Sequence, residues 1–180
     1  EPRYVLVYVH GFTGFAVSHH NYFNVITKDG GVVFSYDQRG HGKSPGHRLG
    51  SSVDDDLRGV KQIIQEAKIL YPTLPLILHG HSMGGLYVIL TAMLNQEFFL
   101  KNVNKAIVEA PWISTIQTFH NSLRNGFLRA IEPFLPLIHI TIPPIPQEII
   151  DQRVIEAMPK IDFEGFITPK HFVGILDAQY

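Results

Sequence analysis

The chain has 180 residues, enough for one domain with a substantial core. Hydrophobic residues make up 45% and charged ones 17%, a balance that excludes a disordered chain. Fifteen Lys and Arg against sixteen Asp and Glu leave no net field to attract nucleic acid or an anionic membrane, and zero cysteines exclude a disulfide framework and a thiolate metal site.

The sequence opens at Glu1, two residues before an apolar run, so the natural N-terminus is expected upstream. The run "YVLVYVH" at 4–10 predicts a strand leading into the glycine turn "GFTG". His19 and His20 would point in different directions from a helix or a strand. They therefore fit a solvated helix start, or a polar contact beside a pocket, better than a pair of metal ligands. "GVVFSYD" at 31–37 predicts a second strand, ending at the loop "QRGHGKSPG". That loop lacks the spacing of a phosphate cradle, which needs G-x-x-x-x-G-K-[ST], and no nucleotide cofactor is expected.

Val53, Leu57, Val60, Ile64, Ala67 and Leu70 recur at three- and four-residue steps and predict a helix. Ser52 is its expected N-cap, three acids occupy the first turn where the macrodipole favours them, and Pro72 stops it. A third strand, "LPLILHG" at 74–80, leads into a helix expected to begin at Ser82 or Met83 and run through "GGLYVILTAMLNQ". "NKAIVEAP" at 104–111 predicts a fourth strand. Near-continuous apolar strands alternating with helices predict an α/β, mostly parallel, doubly wound sheet.

After Pro111 the character changes. Residues 112–180 carry helical patterns and the proline-rich loop "TIPPIPQ" but no convincing core strand, and Thr168-Pro169 predicts a last helix, "TPKHFVGILDAQ". The expected division is a sheet core over 1–111 and a helical cap over 112–180. The most apolar stretch, "FLPLIHITIPPIP" at 134–146, is interrupted by four prolines and is too short for a membrane span, which takes about 20 residues.

The chemistry centres on Ser82. Gly80-His81-Ser82-Met83-Gly84 fits G-x-S-x-G, a strained strand-to-helix turn that lifts a nucleophilic serine out of a sheet. A serine hydroxyl needs a base to take its proton and donors to hold the oxyanion it creates. The Met83 N–H follows the serine, and the loop "VHGFTG" at 9–14 offers the Phe12 N–H as a second donor. The turn should point the His81 side chain away from the hydroxyl, to pack beside the pocket.

Three stretches, "HGF" at 10–12, "YDQRGHGKSPG" at 36–46 and "GHSMGG" at 80–85, resemble the α/β-hydrolase superfamily and its monoglyceride lipase and lysophospholipase branch. "EAPWIS" at 109–114 resembles that branch's passage from core to lid. The resemblance implies an α/β-hydrolase fold and a serine hydrolase of fatty-acyl esters, with Ser82 as nucleophile, Phe12 and Met83 as backbone oxyanion donors, and no cofactor or metal. It gives Asp37, Arg39, Gly40, His41 and Gly42 a structural role in the loop. The implied partner is a small acyl ester, with transient membrane contact through the lid of an otherwise cytoplasmic protein. Phe127, Leu128, Ile131, Phe134, Leu135, Leu137 and Ile138 are core-facing lid residues or line an acyl-chain tunnel.

In this fold the acid and then the histidine of the triad follow the nucleophile, each after a later core strand. Both are expected beyond Tyr180, because Asp151 or Asp162 with His171 lie in lid-like segments that no core strand precedes. The segment is thus expected to be incomplete at both ends and inactive alone. Serine aminopeptidases, thioesterases and acyltransferases share these motifs, and a catalytically silent binding protein could keep the elbow as architecture.

Overall fold

The computed structural model describes residues 1–113, 127, 129–137, 140–141 and 166–167. Four strands, β1 (Tyr4–Val9), β2 (Gly31–Ser35), β3 (Leu76–His81) and β4 (Lys105–Glu109), form one parallel sheet in the order β2-β1-β3-β4. Helix α1 (His20–Lys28) links β1 to β2, and α2 (Val53–Leu70) links β2 to β3. Helices α3 (Met83–Leu94) and α4 (Gln96–Asn102) link β3 to β4.

The chain order reverses between β1 and β3. From β1 it steps outward to β2, then returns past β1 to β3 and on to β4. Right-handed crossovers in opposite directions put helices on opposite faces. Val5, Val7, Val9, Leu76 and Leu78 pack with Leu57, Val60 and Ile64 of α2 and with Leu86 and Leu90 of α3 in the main core. Tyr8 and His79, of the opposite parity, meet Tyr22 of α1 on the other face. Burying strands on both faces explains why their sequences are almost continuously apolar.

Helix α2 starts as its sequence indicates. The Ser52 hydroxyl accepts the Asp55 N–H at 3.2 Å, and the Asp55 carboxylate reaches back to the Ser52 N–H, completing a capping box. Asp56 departs from the macrodipole reading. Its side chain turns into the core, where it accepts hydrogen bonds from Ser51 at 3.0 Å and Tyr87 at 2.8 Å.

The helix after Ser82 is broken where the sequence suggests one run. It stops at Leu94, and α4 leaves at 107° to it across Asn95. Both α1 and α4 are surface helices with no fully buried residue. Among the described residues no single helix is long and apolar enough to cross a membrane. Among the described residues β4 is the outer strand on its side, and all five of its residues are exposed, with Ile107 at 43% and Val108 at 38%.

Past β4, the described residues include a two-residue antiparallel pair, β5 (Ile140–Thr141) and β6 (Phe166–Ile167). This pairing was not anticipated in the sequence, and it lies apart from the main sheet. Asp151, Asp162, His171, Leu128, Ile138 and the helix expected at 168–179 lie outside the described residues.

Candidate active site

In a parallel sheet a ligand crevice opens at the carboxyl ends of the two strands where chain order reverses. Here those strands are β1 and β3, which are followed by His10-Gly11-Phe12 and by Ser82-Met83. The sheet thus brings the two predicted loops to one place.

Ser82 has φ 54° and ψ −117°, a backbone conformation that side-chain-bearing residues rarely hold. It ends β3 and precedes α3, and its hydroxyl does not cap that helix. The turn is held through its backbone. The Ser82 N–H donates to the Glu109 carbonyl at 2.9 Å, and the Ser82 carbonyl accepts from Leu86 N–H at 3.1 Å and Trp112 N–H at 3.0 Å. Glycines give it room. A Cβ on Gly80 would run into the Gly84 carbonyl, and one on Gly84 would run into the carbonyls of Val9 and His10. The G-x-S-x-G spacing is therefore a packing requirement at this turn.

The first loop closes over the same corner. A Cβ on Gly11 would stand 3.1 Å from the Ser82 Cβ, so the Gly11 backbone lies directly against the serine. Phe12 follows it, with its ring 6.0 Å from both Trp112 and His41 in edge-to-face contact. Met83 is fully buried at the start of α3.

His10 anchors this loop. The Gln38 N–H donates to His10 Nε2 at 3.1 Å, so the proton sits on Nδ1, 2.8 Å from the Gly11 carbonyl. The Gln38 side-chain amide donates to the His10 carbonyl at 2.6 Å. Burial pushes the His10 imidazole down to about 3, keeping it neutral, and burial likewise lowers His41 to about 4.

The loop after β2 is tied down through Asp37. The Asp37 carboxylate accepts the N–H groups of Ala16 at 2.6 Å and Lys43 at 2.7 Å, tying that loop to the one after β1. Gly42, at φ 48°, lies so close to this carboxylate that no side chain would fit. His81 packs against His19, ring centres 5.9 Å apart, as the turn geometry requires.

Glu109 and Trp112 were not singled out as braces of the serine turn. Their part is played by backbone groups across a sheet register, and the one sequence signal is the Ala-Pro pair that ends β4. Among the described residues no imidazole hydrogen-bonds the Ser82 hydroxyl, and none group into a metal site with three or more His, Cys, Asp or Glu.

Residues 1–165 match the hydrolase family described as "Serine aminopeptidase, S33". The chain belongs to that hydrolase family. Its relatives include the monoacylglycerol lipase of Mycolicibacterium smegmatis, 35% identical over 92 residues, which are 47% of this chain and 31% of that enzyme. Human monoglyceride lipase is 45% identical over 62 residues, 34% of this chain and 20% of that one. Among solved structures, the hydrolase fold matches Paleococcus ferrophilus monoacylglycerol lipase with a TM-score of 0.82 at 22% identity, over 99% of this chain and 66% of that one. It also matches a soluble variant of Saccharomyces cerevisiae monoglyceride lipase, solved with a substrate analog, with a TM-score of 0.80 at 19% identity, over 99% and 60%. The chain thus spans less than two thirds of each of these proteins, and the two structures establish the α/β-hydrolase fold.

Proposed function

We propose that the protein is a serine ester hydrolase acting on fatty-acyl esters such as monoacylglycerols or lysophospholipids. The observation that carries this reading is Ser82 at φ 54° on the switch-point corner, with the Gly11 backbone packed against it. Ser82 attacks the ester carbonyl, the N–H groups of Phe12 and Met83 hold the oxyanion, and water releases the acid from the acyl-enzyme. The base and its carboxylate partner lie outside the described residues in this reading. Several relatives are named as monoacylglycerol or monoglyceride lipases, which supports an acyl ester over a peptide bond. Exposed Ile113, Phe127, Phe134 and Leu135 support a cap that touches lipid when substrate is delivered.

Fluorophosphonate labelling of the full-length protein, with turnover of a monoacylglycerol, a lysophospholipid and a peptide amide, tests the proposal. Labelling that disappears in Ser82→Ala, together with ester turnover at least tenfold faster than amide turnover, is the expected result. Preferred cleavage of the amide would move the activity to a peptidase. Absence of labelling would leave a silent binding protein.

A further inference from the structure

Two adjacent strand ends carry backbone in the left-handed region. Ser82 ends β3 at φ 54°, and Ala110 ends β4 at φ 41°. The strands run in parallel register with His81 opposite Glu109, so the two bends lie side by side. They are tied together twice, by Ser82 N–H to the Glu109 carbonyl at 2.9 Å and by Trp112 N–H to the Ser82 carbonyl at 3.0 Å. Pro111 completes the fit: a Cβ on Gly85, in the first turn of α3, would stand 3.1 Å from it. The serine turn therefore takes its position from the end of β4 as well as from its own strand.

The Glu109 side chain, at the end of β4, reaches toward β3. Glu109 Oε2 stands 3.2 Å from His79 Nε2, an ion-pair distance with the ring N–H turned somewhat off the carboxylate. On its other side, His79 Nδ1 is 3.0 Å from the Tyr22 hydroxyl of α1. A phenol donating to Nδ1 leaves the imidazole proton on Nε2, the nitrogen facing Glu109. Tyr8 and Tyr22 stand edge-on to the imidazole at 5.1 and 5.4 Å, fixing its plane. Carboxylate, imidazole and phenol thus run in line from β4 through β3 to α1, on the sheet face away from the main core.

We propose that the Tyr22–His79–Glu109 chain positions the nucleophile turn, acting through the Glu109 carbonyl that receives the Ser82 N–H. These are positioning residues, since none of them touches the reacting atoms. The inference rests on the reading of Ser82 as nucleophile. A shift of the β4 end rotates the serine hydroxyl relative to its oxyanion donors, which affects the transition state more than substrate binding.

The test uses Tyr22→Phe, Glu109→Gln, the double variant and Ser82→Ala in the full-length protein. Turnover of p-nitrophenyl butyrate, the rate of fluorophosphonate labelling and the thermal midpoint are followed in each. Each single variant is expected to lower kcat and the labelling rate five- to tenfold, with KM within twofold and an unchanged midpoint. The double variant should be no slower than the slower single one, because both break one chain. Single variants within twofold of wild type overturn the positioning role, as do losses that multiply in the double variant or that track a fall in midpoint. In those cases a Ser82→Ala protein that no longer labels leaves the nucleophile assignment standing. Labelling that persists in Ser82→Ala overturns that assignment, and the positioning role with it.

Discussion

A left-handed serine costs about 1–3 kcal/mol of backbone strain, so the residues around Ser82 must over-determine its place. Gly11 and Gly84 do so by being close and small. Gly11→Ala would press a methyl group toward Ser82 and should lower ester turnover at least tenfold with a small change in stability, measured by paired kinetics and urea melts. Gly84→Ala would drive a methyl into the Val9 and His10 carbonyls and should destabilise by about 3 kcal/mol or fail to fold. A urea midpoint equal to wild type would contradict the packing account of the motif. At this scale Ser82 was legible because its signal is local: a strand, a serine and three glycines within six residues. The Glu109 carbonyl was not, since its role depends on which strand lies beside β3 and in what register.

Helix α2 was the most legible element, because cap, periodicity and stop all agree along one stretch. Ser52→Ala should cost about 1 kcal/mol, read from the denaturation midpoint, since it removes the acceptor for the Asp55 N–H. Asp54, Asp55 and Asp56 look equivalent in sequence, yet Asp56 is buried against Tyr87 while Asp55 reaches Arg58 at the surface. Tertiary packing separates them, and local propensity cannot. The break at Asn95 was hidden for the same reason: its neighbours are good helix formers on both sides, and the turn is set by where α4 packs. Helix α1 was read only from its starting histidines, although Tyr22, Phe23 and Ile26 lie half-buried at helical spacing along its inner side.

At the scale of the whole fold, three buried groups among the described residues tie stability to pH. Burial lowers His10 from 6.5 to about 3 and His41 from 6.5 to about 4, and raises Asp56 from 3.8 to about 7. Between about pH 4 and 6.5 the unfolded chain binds two protons at these sites and the native chain one. Stability from these groups therefore rises with pH across that window by about 1.4 kcal/mol per unit. His19 and His79, also lowered chiefly by burial, act in the same direction. Asp56 opposes all of them, since its proton is bound in the native state and lost on unfolding. Asp56→Asn should therefore steepen the acid-side slope of unfolding free energy, roughly doubling the share from these three sites. Urea melts at pH 4.5, 5.5 and 6.5 check this, and an unchanged slope would remove Asp56 from the account.

The outermost strand has a practical consequence. Among the described residues no strand pairs with its outer edge, and Ile107 and Val108 add grease on both sides. Two copies of the 180-residue chain are therefore expected to zip together along this margin, the usual route by which unpaired strand edges clump. Scattering from the purified chain should grow with concentration, and Val108→Lys should suppress it by planting a charge on the seam.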